Sequence, residues 1–554
     1  MSDNPSELLD IRGLTITLPE GADRDHAVRS LDLSIRPGEC VCLVGESGSG
    51  KSITAQALLD MLPRGLKKAA GEIIFEGAPL PAGDPAAMRR LRGDRIGLIF
   101  QEPAATLDPV MTVGRQIEEM LLVHGMRSAR ARRARALDMI TAVRLADPER
   151  IHKSYPHQLS GGQAQRIAIA MALALKPALL IADEPTTALD VTTQAEILAL
   201  IRDLQEEFQA GLLFITHDLS VVADIADRVM VMREGEIVET GSRDAIFEAP
   251  RHPYTIRLLE SLPKPGAQSS AEHETSVVLE ARDIAITYHQ RDGLFANRAI
   301  EAVRGVSLSL KRGETHGLVG QSGSGKSSLV RGILQLEPLT GGTVILDGTD
   351  IGQFVTGMPR AMRKRIQLVQ QDPFSALNPR QKAGWSVAEG ALIHGATRRQ
   401  AADRARQMLS LVGLPEQAFD RFPHEFSGGQ RQRLCIARAL VVEPEILVAD
   451  EAISALDVSI QAQILALFAT LQEKLGFAML FVTHDLRVAA SICDEVTVMY
   501  RGEAVEQGPA SKVLVTPAHD YTRTLLNAVP DRAGRATSSL SRAGQIAATG
   551  GDSI

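Results

Sequence analysis

Cysteine is scarce in this chain of 554 residues: there are four, Cys40, Cys42, Cys435 and Cys493. That is too few for a disulfide scaffold. Cys40 and Cys42 alternate around Val41 in an apolar run and the other two lie far away, so no metal or cluster spacing is present. Buried free thiols in a reducing compartment are the expectation. An excess of charge is also missing. Lys and Arg number 60 against 67 Asp and Glu, a net charge of -7, which gives no overall pull toward nucleic acid or an anionic membrane. Nor is there a long hydrophobic run. The longest, Ile167 to Ala182, is interrupted by Lys176-Pro177, and a bilayer span needs about 20 apolar residues. The segment Met1–Asp10 has acidic residues and no apolar core, unlike a secretory signal. No crossing of a membrane is therefore expected. With 44% apolar and 23% charged residues the chain is globular in composition, and disordered or collagen-like classes are excluded. At about 100–200 residues per domain, it holds more than one.

What is present is internal repetition. GESGSGKS at Gly45–Ser52 returns as GQSGSGKS at Gly320–Ser327, and YPHQLSGGQ at Tyr155–Gln163 as FPHEFSGGQ at Phe422–Gln430. LLIADEPTTALD at Leu179–Asp190 returns as LVADEAISALD at Leu447–Asp457, ITHDL at Ile215–Leu219 as VTHDL at Val482–Leu486, and HPYT at His252–Thr255 as HDYT at His519–Thr522. The two lysines of the first string lie 275 positions apart and Gln101 and Gln371 lie 270 apart, whereas from SGGQ onward the offset is a constant 267. Length changes are therefore confined to the first half of each copy, as expected of a tandem duplication with independent surface loops. The division predicted is a first domain over 1–262, a polar, Pro- and Ser-containing linker over 263–277, a second domain over 278–530 and a disordered tail over 531–554.

Short continuous apolar runs at Cys40–Val44, Ala178–Ala182, Leu318-Val319 and Ile446–Ala449 precede glycine-rich or acidic turns and suit parallel strands buried on both faces. Helical stretches such as Ala129–Val143 and Ala401–Leu411 lie between them. Each copy is therefore read as an α/β domain with a mainly parallel sheet.

The chemistry follows the same strings. Both eight-residue strings fit G-x-x-x-x-G-K-[ST] after an apolar strand, the context of a phosphate-binding loop. Gly45, Ser47, Gly48, Ser49 and Gly50, and in the second copy Gly320, Ser322, Gly323, Ser324 and Gly325, would turn backbone N–H groups onto phosphate. Lys51 and Lys326 would reach the β- and γ-phosphates, and Ser52 and Ser327 would offer oxygen to Mg²⁺. A chance glycine-rich turn is the bland alternative, and two copies in the same context count against it. Asp183-Glu184 and Asp450-Glu451 each end an apolar strand. The aspartate suits a metal's water shell, and the glutamate suits polarisation of an attacking water. A solvated carboxylate pair is the competing account.

SGGQ discriminates. Ser160, Gly161, Gly162 and Gln163, with Ser427, Gly428, Gly429 and Gln430, again expose N–H groups at a helix start, and the string resembles the signature of the ABC (ATP-binding cassette) ATPases. The other marks of that family follow in order: Gln101 and Gln371, the strings Ala188-Leu189-Asp190 and Ala455-Leu456-Asp457, and His217 and His484 within T-H-D. The resemblance covers roughly Leu9–Leu262 and Leu279–Pro530. It implies two cassettes, each a RecA-like parallel-sheet core with a helical subdomain, packed head to tail. ATP then lies between one copy's phosphate loop and the other's signature. The first site would join Gly45–Ser52, Gln101, Asp183, Glu184 and His217 to Ser427–Gln430, and the second Gly320–Ser327, Gln371, Asp450, Glu451 and His484 to Ser160–Gln163. Gln101 and Gln371 would join the serines and aspartates around the Mg²⁺ carried by ATP, and both sites are expected to be catalytic. Two departures stand out. Leu18 lies opposite Tyr288, where the family stacks an aromatic ring on adenine, so weaker binding is expected at the first site; and Ala452 replaces the proline seen at Pro185.

The segments Gln101–Gly114 and Gln371–Pro379, with the closing strings around His252–Leu259 and Asp520–Thr522, look like those of peptide and nickel importers, and the fused arrangement resembles the double ATPase of microcin C-type oligopeptide importers. That likeness implies two integral-membrane permeases, an extracytoplasmic binding protein, and a peripheral place on the cytoplasmic face of the bacterial inner membrane. Nickel, glutathione or another small solute remain alternative cargoes. Some dipeptide-importer ATPases carry a cysteine cluster after the closing motif; none follows it in either copy, so no iron–sulfur site is expected. A soluble tandem cassette acting on ribosomes or nucleic acid is the competing class. Only the basic run Arg127–Arg135, matched at Arg398–Arg406, favours it, and a solvated helical face explains that run as well. A purely regulatory cassette pair would tolerate loss of Glu184 and Glu451, which are kept.

Overall fold

A computed structural model describes residues 7–22, 24–101, 106–186, 189–262, 276–292, 296–354, 358–454 and 456–528. Most of the expected linker, the expected tail over 531–554, and Ala188 and Ala455 of the A-L-D strings lie outside the described residues. The chain gathers into two compact units, the first closing at Ser261 and the second opening at Leu262.

In the first unit a six-stranded sheet runs in the order Glu236–Ser242, Arg228–Arg233, Cys40–Val44, Gly211–Thr216, Leu179–Asp183, Ile96–Ile99. All its pairings are parallel except that of the first two strands. Cys40–Val44 is buried at every position, as a central strand covered on both faces is. A four-stranded antiparallel sheet lies beside it, in the order His26–Ile35, Leu9–Thr17, Lys67–Phe75, Ala78–Pro79. Its strand Leu9–Thr17 alternates buried and more open positions, the period-2 mark of a one-sided sheet. Leu9, Ile11 and Ile16 join Val41 and Leu43 in one apolar core.

The second unit repeats this plan, with its six strands in the order Ile366–Val369, Ile446–Asp450, Ala478–Thr483, Thr315–Val319, Glu495–Tyr500, Glu503–Pro509. The strand expected at Leu318-Val319 extends back through Thr315 and His316. His316 is buried and its Nε2 lies 2.8 Å from Thr497 Oγ1 on the neighbouring strand, so a polar pair occupies a core position. Burial pulls that imidazole down to about 4, which keeps it neutral. The change in offset before the lysines also has a structural counterpart. Val277–Asp292 and Ala296–Lys311 form a far longer antiparallel pair than Leu9–Thr17 and His26–Ile35.

A helical layer follows in each unit: Val113–Val123, Ala129–Ala142 and Gly161–Leu173 in the first, Ala383–Ile393, Arg398–Leu411 and Gly428–Leu440 in the second. Ser128 and Thr397 cap the middle helices by accepting from Ala131 N–H and Gln400 N–H. The basic run on the first of these helices is largely engaged in the fold. Arg132 donates to the Met126 and Arg127 carbonyls, Arg133 pairs with Glu149 at 2.6 Å, and Arg135 donates to Ala174 O. No helix among the described residues is long and apolar enough to cross a membrane. All four cysteines are free and buried.

Candidate functional site

The predicted phosphate loops, carboxylates, glutamines and histidines lie at the carboxyl ends of the parallel strands, where open α/β sheets bind their ligands. The loop Gly45–Gly50 follows strand Cys40–Val44 and opens helix Lys51–Leu58. Gly50 has φ 109°, and a Cβ there would fall 2.5 Å from Ala27 O; Gly325, at φ 103°, would meet Ala302 O at 2.3 Å. Only glycine fits so close a backbone approach in that conformation. Lys51 Nζ donates to Gly45 O at 2.7 Å and Glu46 O at 2.9 Å, and Lys326 Nζ to Gly320 O at 2.7 Å and Gln321 O at 2.8 Å. The ammonium groups are thus aimed back over the loop. Burial pulls the Lys326 ammonium below its usual range, while Glu451 and Asp450 push the other way. Ser47, Gly48, Ser322 and Gly323 form the exposed crest of each loop, and Ser49 Oγ and Ser324 Oγ are buried without a hydrogen-bond partner among the described residues.

Asp183 and Asp450 close their strands toward the same loops. Ser52 Oγ donates to Asp183 Oδ1 at 2.9 Å. Burial raises both aspartates above the ordinary carboxylate range, and the adjacent glutamate adds to the rise in each. Asp450 Oδ1 is buried with no hydrogen-bond partner among the described residues. An unsatisfied carboxylate oxygen with a serine hydroxyl at its side offers oxygen donors, which fit a hard cation such as Mg²⁺.

Glu184 and Glu451 turn out of the strands at φ 47° and 46°, a left-handed conformation uncommon for glutamate. The neighbouring strand holds them there, with Glu184 N–H on Ile215 O at 2.9 Å and Glu451 N–H on Val482 O at 3.0 Å. The turn brings each carboxylate between two partners. Gln101 Nε2 donates to Glu184 Oε2 at 3.0 Å, and His217 Nδ1 stands 3.0 Å from Glu184 Oε1. In the second unit Gln371 Nε2 donates to Glu451 Oε2 at 2.8 Å, His484 Nδ1 lies 3.8 Å from Glu451 Oε1, and Lys326 Nζ lies 4.0 Å from it. At 3.8 Å the histidine nitrogen stands beyond hydrogen-bond length from the carboxylate. His484 first, then Lys326, holds the Glu451 carboxyl below its usual range against its burial.

The signatures stand at helix starts. Ser160 accepts from Gln163 N–H while Gln163 Oε1 accepts from Ser160 N–H, and Ser427 and Gln430 repeat this capping box. These hydrogen bonds are local; within neither unit do they reach that unit's own phosphate loop. Gly162 and Gly429 pack closely, since a Cβ would fall 2.7 Å from Thr193 Cγ2 and 2.6 Å from Ile460 Cγ2. Tyr288 packs at the rim of its unit's core with its hydroxyl 3.2 Å from Ser328 Oγ, next to Ser327. At the matching places the first unit has Leu18 and Ile53, both packed against its apolar core.

Two side chains that contact the loops were not singled out as site residues from the sequence. Tyr254 Oη accepts from the N–H of Glu46, and Tyr521 Oη from the N–H of Gln321, each at 3.2 Å. The only signal was the repeated HPYT and HDYT.

Comparisons with known proteins identify the family. A family model described as "ABC transporter" matches residues 28–187 and 303–454, and one described as "Oligopeptide/dipeptide transporter, C-terminal region" matches 238–285 and 505–549. The glutathione import ATP-binding protein GsiA of Salmonella choleraesuis (strain SC-B67) is 45% identical over 559 residues, covering 95% of this chain and 90% of the relative. GsiA of Escherichia coli (strain K12) is 45% identical over 562 residues, covering 94% and 89%. Among solved structures, the dimeric post-hydrolysis state of the ATP-binding cassette MJ0796 bound to ADP and Pi is 31% identical over 42% of this chain and 98% of that one, with a TM-score of 0.38. The chain belongs to the ABC transporter ATPases: two ATP-binding cassettes in one polypeptide, each followed by the C-terminal region of oligopeptide and dipeptide transporters, with ATP hydrolysis coupled to transport.

Proposed function

We propose that this protein powers an importer of peptide-class solutes across the bacterial inner membrane, lying on its cytoplasmic face with two permease subunits and an extracytoplasmic binding protein. The observation that carries the reading is the repeated Gln–Glu–His set around Glu184 and Glu451, each beside a phosphate loop. The loop N–H groups and Lys51 or Lys326 bind the phosphates of ATP. Glu184 or Glu451, oriented by its glutamine and histidine, polarises the attacking water. Ser52, Asp183 and Gln101, with Ser327, Asp450 and Gln371, would hold Mg²⁺, which neutralises charge developing on the phosphates. Tyr288 stacks on adenine in the second site.

Ser160–Gln163 and Ser427–Gln430 are the signature segments that contact ATP. Both signatures present a capped helix start to an anion. ATP closes the pair and hydrolysis releases it, a ligand-controlled hinge. Gln101 and Gln371 report this to the permeases. Beside Gln101, a groove of 260 Å³ is lined by Leu59, Met61, Leu98, Phe100, Met120 and Met171, an apolar seat for a permease helix. The cargo is peptide-like. Glutathione, itself a tripeptide, is the first candidate because it is the named import of relatives that match almost the whole length.

The test is tagged purification from native membranes in mild detergent, with uptake of labelled glutathione and of a labelled oligopeptide in cells lacking the gene. Two copurifying permeases, and uptake restored by the wild type but not by Glu184→Gln with Glu451→Gln, are expected. Ribosomal proteins or nucleic acid without a permease would overturn the importer reading.

A further inference from the structure

We infer that the C-terminal region of each cassette sets the affinity of that cassette's phosphate loop for ATP through one phenolic hydroxyl, making Tyr254 and Tyr521 positioning residues; the inference rests on the loops being ATP sites. In each unit the hydroxyl accepts from the N–H of the residue that follows the first glycine of the loop, Glu46 or Gln321, at 3.2 Å. The carbonyl of that same residue accepts from the loop lysine, at 2.9 Å for Lys51 and 2.8 Å for Lys326. One loop residue therefore joins the tyrosine to the ammonium that meets the phosphates. Both ends of its backbone are fixed, one by the C-terminal region and one by the lysine.

The tyrosine is itself held by a dedicated frame. Glu239 accepts from Arg251 N–H at 2.7 Å and His252 N–H at 3.1 Å, and His252 Nδ1 accepts from Tyr254 N–H at 3.2 Å. Glu506, Ala518, His519 and Tyr521 repeat these bonds in the second unit at 2.7, 3.2 and 3.1 Å. Outside that repeated frame the surroundings of the ring differ between the copies. The loop residue is Glu or Gln, and the ring lies under the Arg233 guanidinium at 5.2 Å in one unit and against Tyr500 at 4.1 Å in the other. The hydroxyl-to-backbone bond is what both keep. A loop whose later N–H groups must face phosphate gains affinity when its first peptide, its own N–H already held by the tyrosine, is set in advance, because that ordering no longer has to accompany binding.

Tyr254→Phe and Tyr521→Phe remove the oxygen and keep the ring. In the purified full chain each is read by titration with a fluorescent ATP analogue, Tyr254→Phe in a Lys326→Ala background and Tyr521→Phe in a Lys51→Ala background, so that one site reports at a time. Loss of one neutral hydrogen bond predicts about 2- to 10-fold weaker binding at the site carrying Phe, with the nucleotide-free melting temperature unchanged. Unaltered affinity at both sites would overturn the inference alone. An affinity loss matched by a fall in nucleotide-free melting would also overturn it, since the tyrosine would then serve only packing. A wild-type chain that binds no ATP would remove the ATP-site reading and this inference together.

Discussion

The two cassettes are predicted to bind ATP unequally, and the difference can be engineered away. Tyr288 is the proposed adenine platform of the second site, with its hydroxyl 3.2 Å from Ser328 Oγ. The first unit has Leu18 and Ile53 at those places, packed on an apolar core with no hydroxyl pair. Base–aromatic stacking is worth about 1–3 kcal/mol, which at about 1.4 kcal/mol per tenfold is a deficit of roughly 5- to 150-fold at the first site. Leu18→Tyr alone restores the ring but sets its hydroxyl beside an isoleucine. Adding Ile53→Ser supplies the partner and about a further 1 kcal/mol of ordering. Titration of Lys51→Ala and Lys326→Ala proteins with a fluorescent ATP analogue isolates each site. The expected order of affinity is first site, then first site with Leu18→Tyr, then first site with both changes, which approaches the second site. Equal affinities in the unmodified sites, or no gain from the double change, would refute the stacking argument.

Three further outcomes follow from the same structure. Glu184→Gln and Glu451→Gln should each lower ATP turnover, by about 10²- to 10⁴-fold at the altered site, with nucleotide binding retained; a single variant with wild-type phosphate release at its own isolated site would show that site to be non-catalytic. Gly50→Ala forces a left-handed residue, at about 1–2 kcal/mol, and also drives its Cβ to 2.5 Å from Ala27 O, whereas Gly48→Ala, at φ 76° with nothing within 4 Å, carries only the backbone cost. Thermal melting should fall clearly further for Gly50→Ala, and equal falls would contradict the packing at Ala27. Glu445 sits between Arg365, at 2.5 and 2.8 Å, and Arg312, at 3.0 Å. Arg365 first holds its carboxyl below the ordinary 4.5. A depressed carboxylate contributes stability that is present above the unfolded value and lost as pH falls through the folded one. Glu445→Gln should therefore lower the denaturation midpoint most at neutral pH, with the deficit shrinking as pH drops below about 4.5; a deficit constant from neutral to strongly acidic pH would disprove the pairing.

Much of this architecture was legible because the chain states it twice. Continuous apolar runs ending in glycine or acid marked Cys40–Val44 and Ile446–Ala449 as buried parallel strands, and both are, the second extending one residue to Asp450. The loop, carboxylate, glutamine and histidine strings lie far apart in sequence but each ends a neighbouring strand of one sheet, so the topology alone assembles them. Periodicity failed where a polar pair substitutes for apolar packing. His316 broke the run before Leu318, yet its bond to Thr497 lets it sit inside the strand. It failed again where a contact depends on a backbone N–H, which every residue but proline has and no composition reveals. Glu46 and Tyr254 are 208 residues apart, and Gln321 and Tyr521 are 200 apart.

The comparison of the copies separates packing from function more sharply than either copy does alone. Gly114 leaves room for the His152 ring, where a Cβ would fall 2.2 Å from Cδ2, and Gly384 does the same for the Phe419 ring at 2.1 Å. His152 bonds Glu118 at 2.8 Å, whereas Phe419 packs edge-on against Trp385. The space was retained and its chemistry exchanged, which is how a helical layer drifts while its volume is held. At the carboxyl ends of the strands the reverse holds. Glu184 and Glu451 keep the same left-handed backbone, the same bond to the next strand and the same glutamine donor. Strain of this kind costs about 1–3 kcal/mol per residue and persists only where the surroundings enforce it. Other left-handed residues also recur in both copies, as at Lys176 and Glu443, but among the described residues only at Glu184 and Glu451 does the conformation set a carboxylate between a glutamine amide and a histidine, and that placement argues that the geometry of both glutamates serves chemistry.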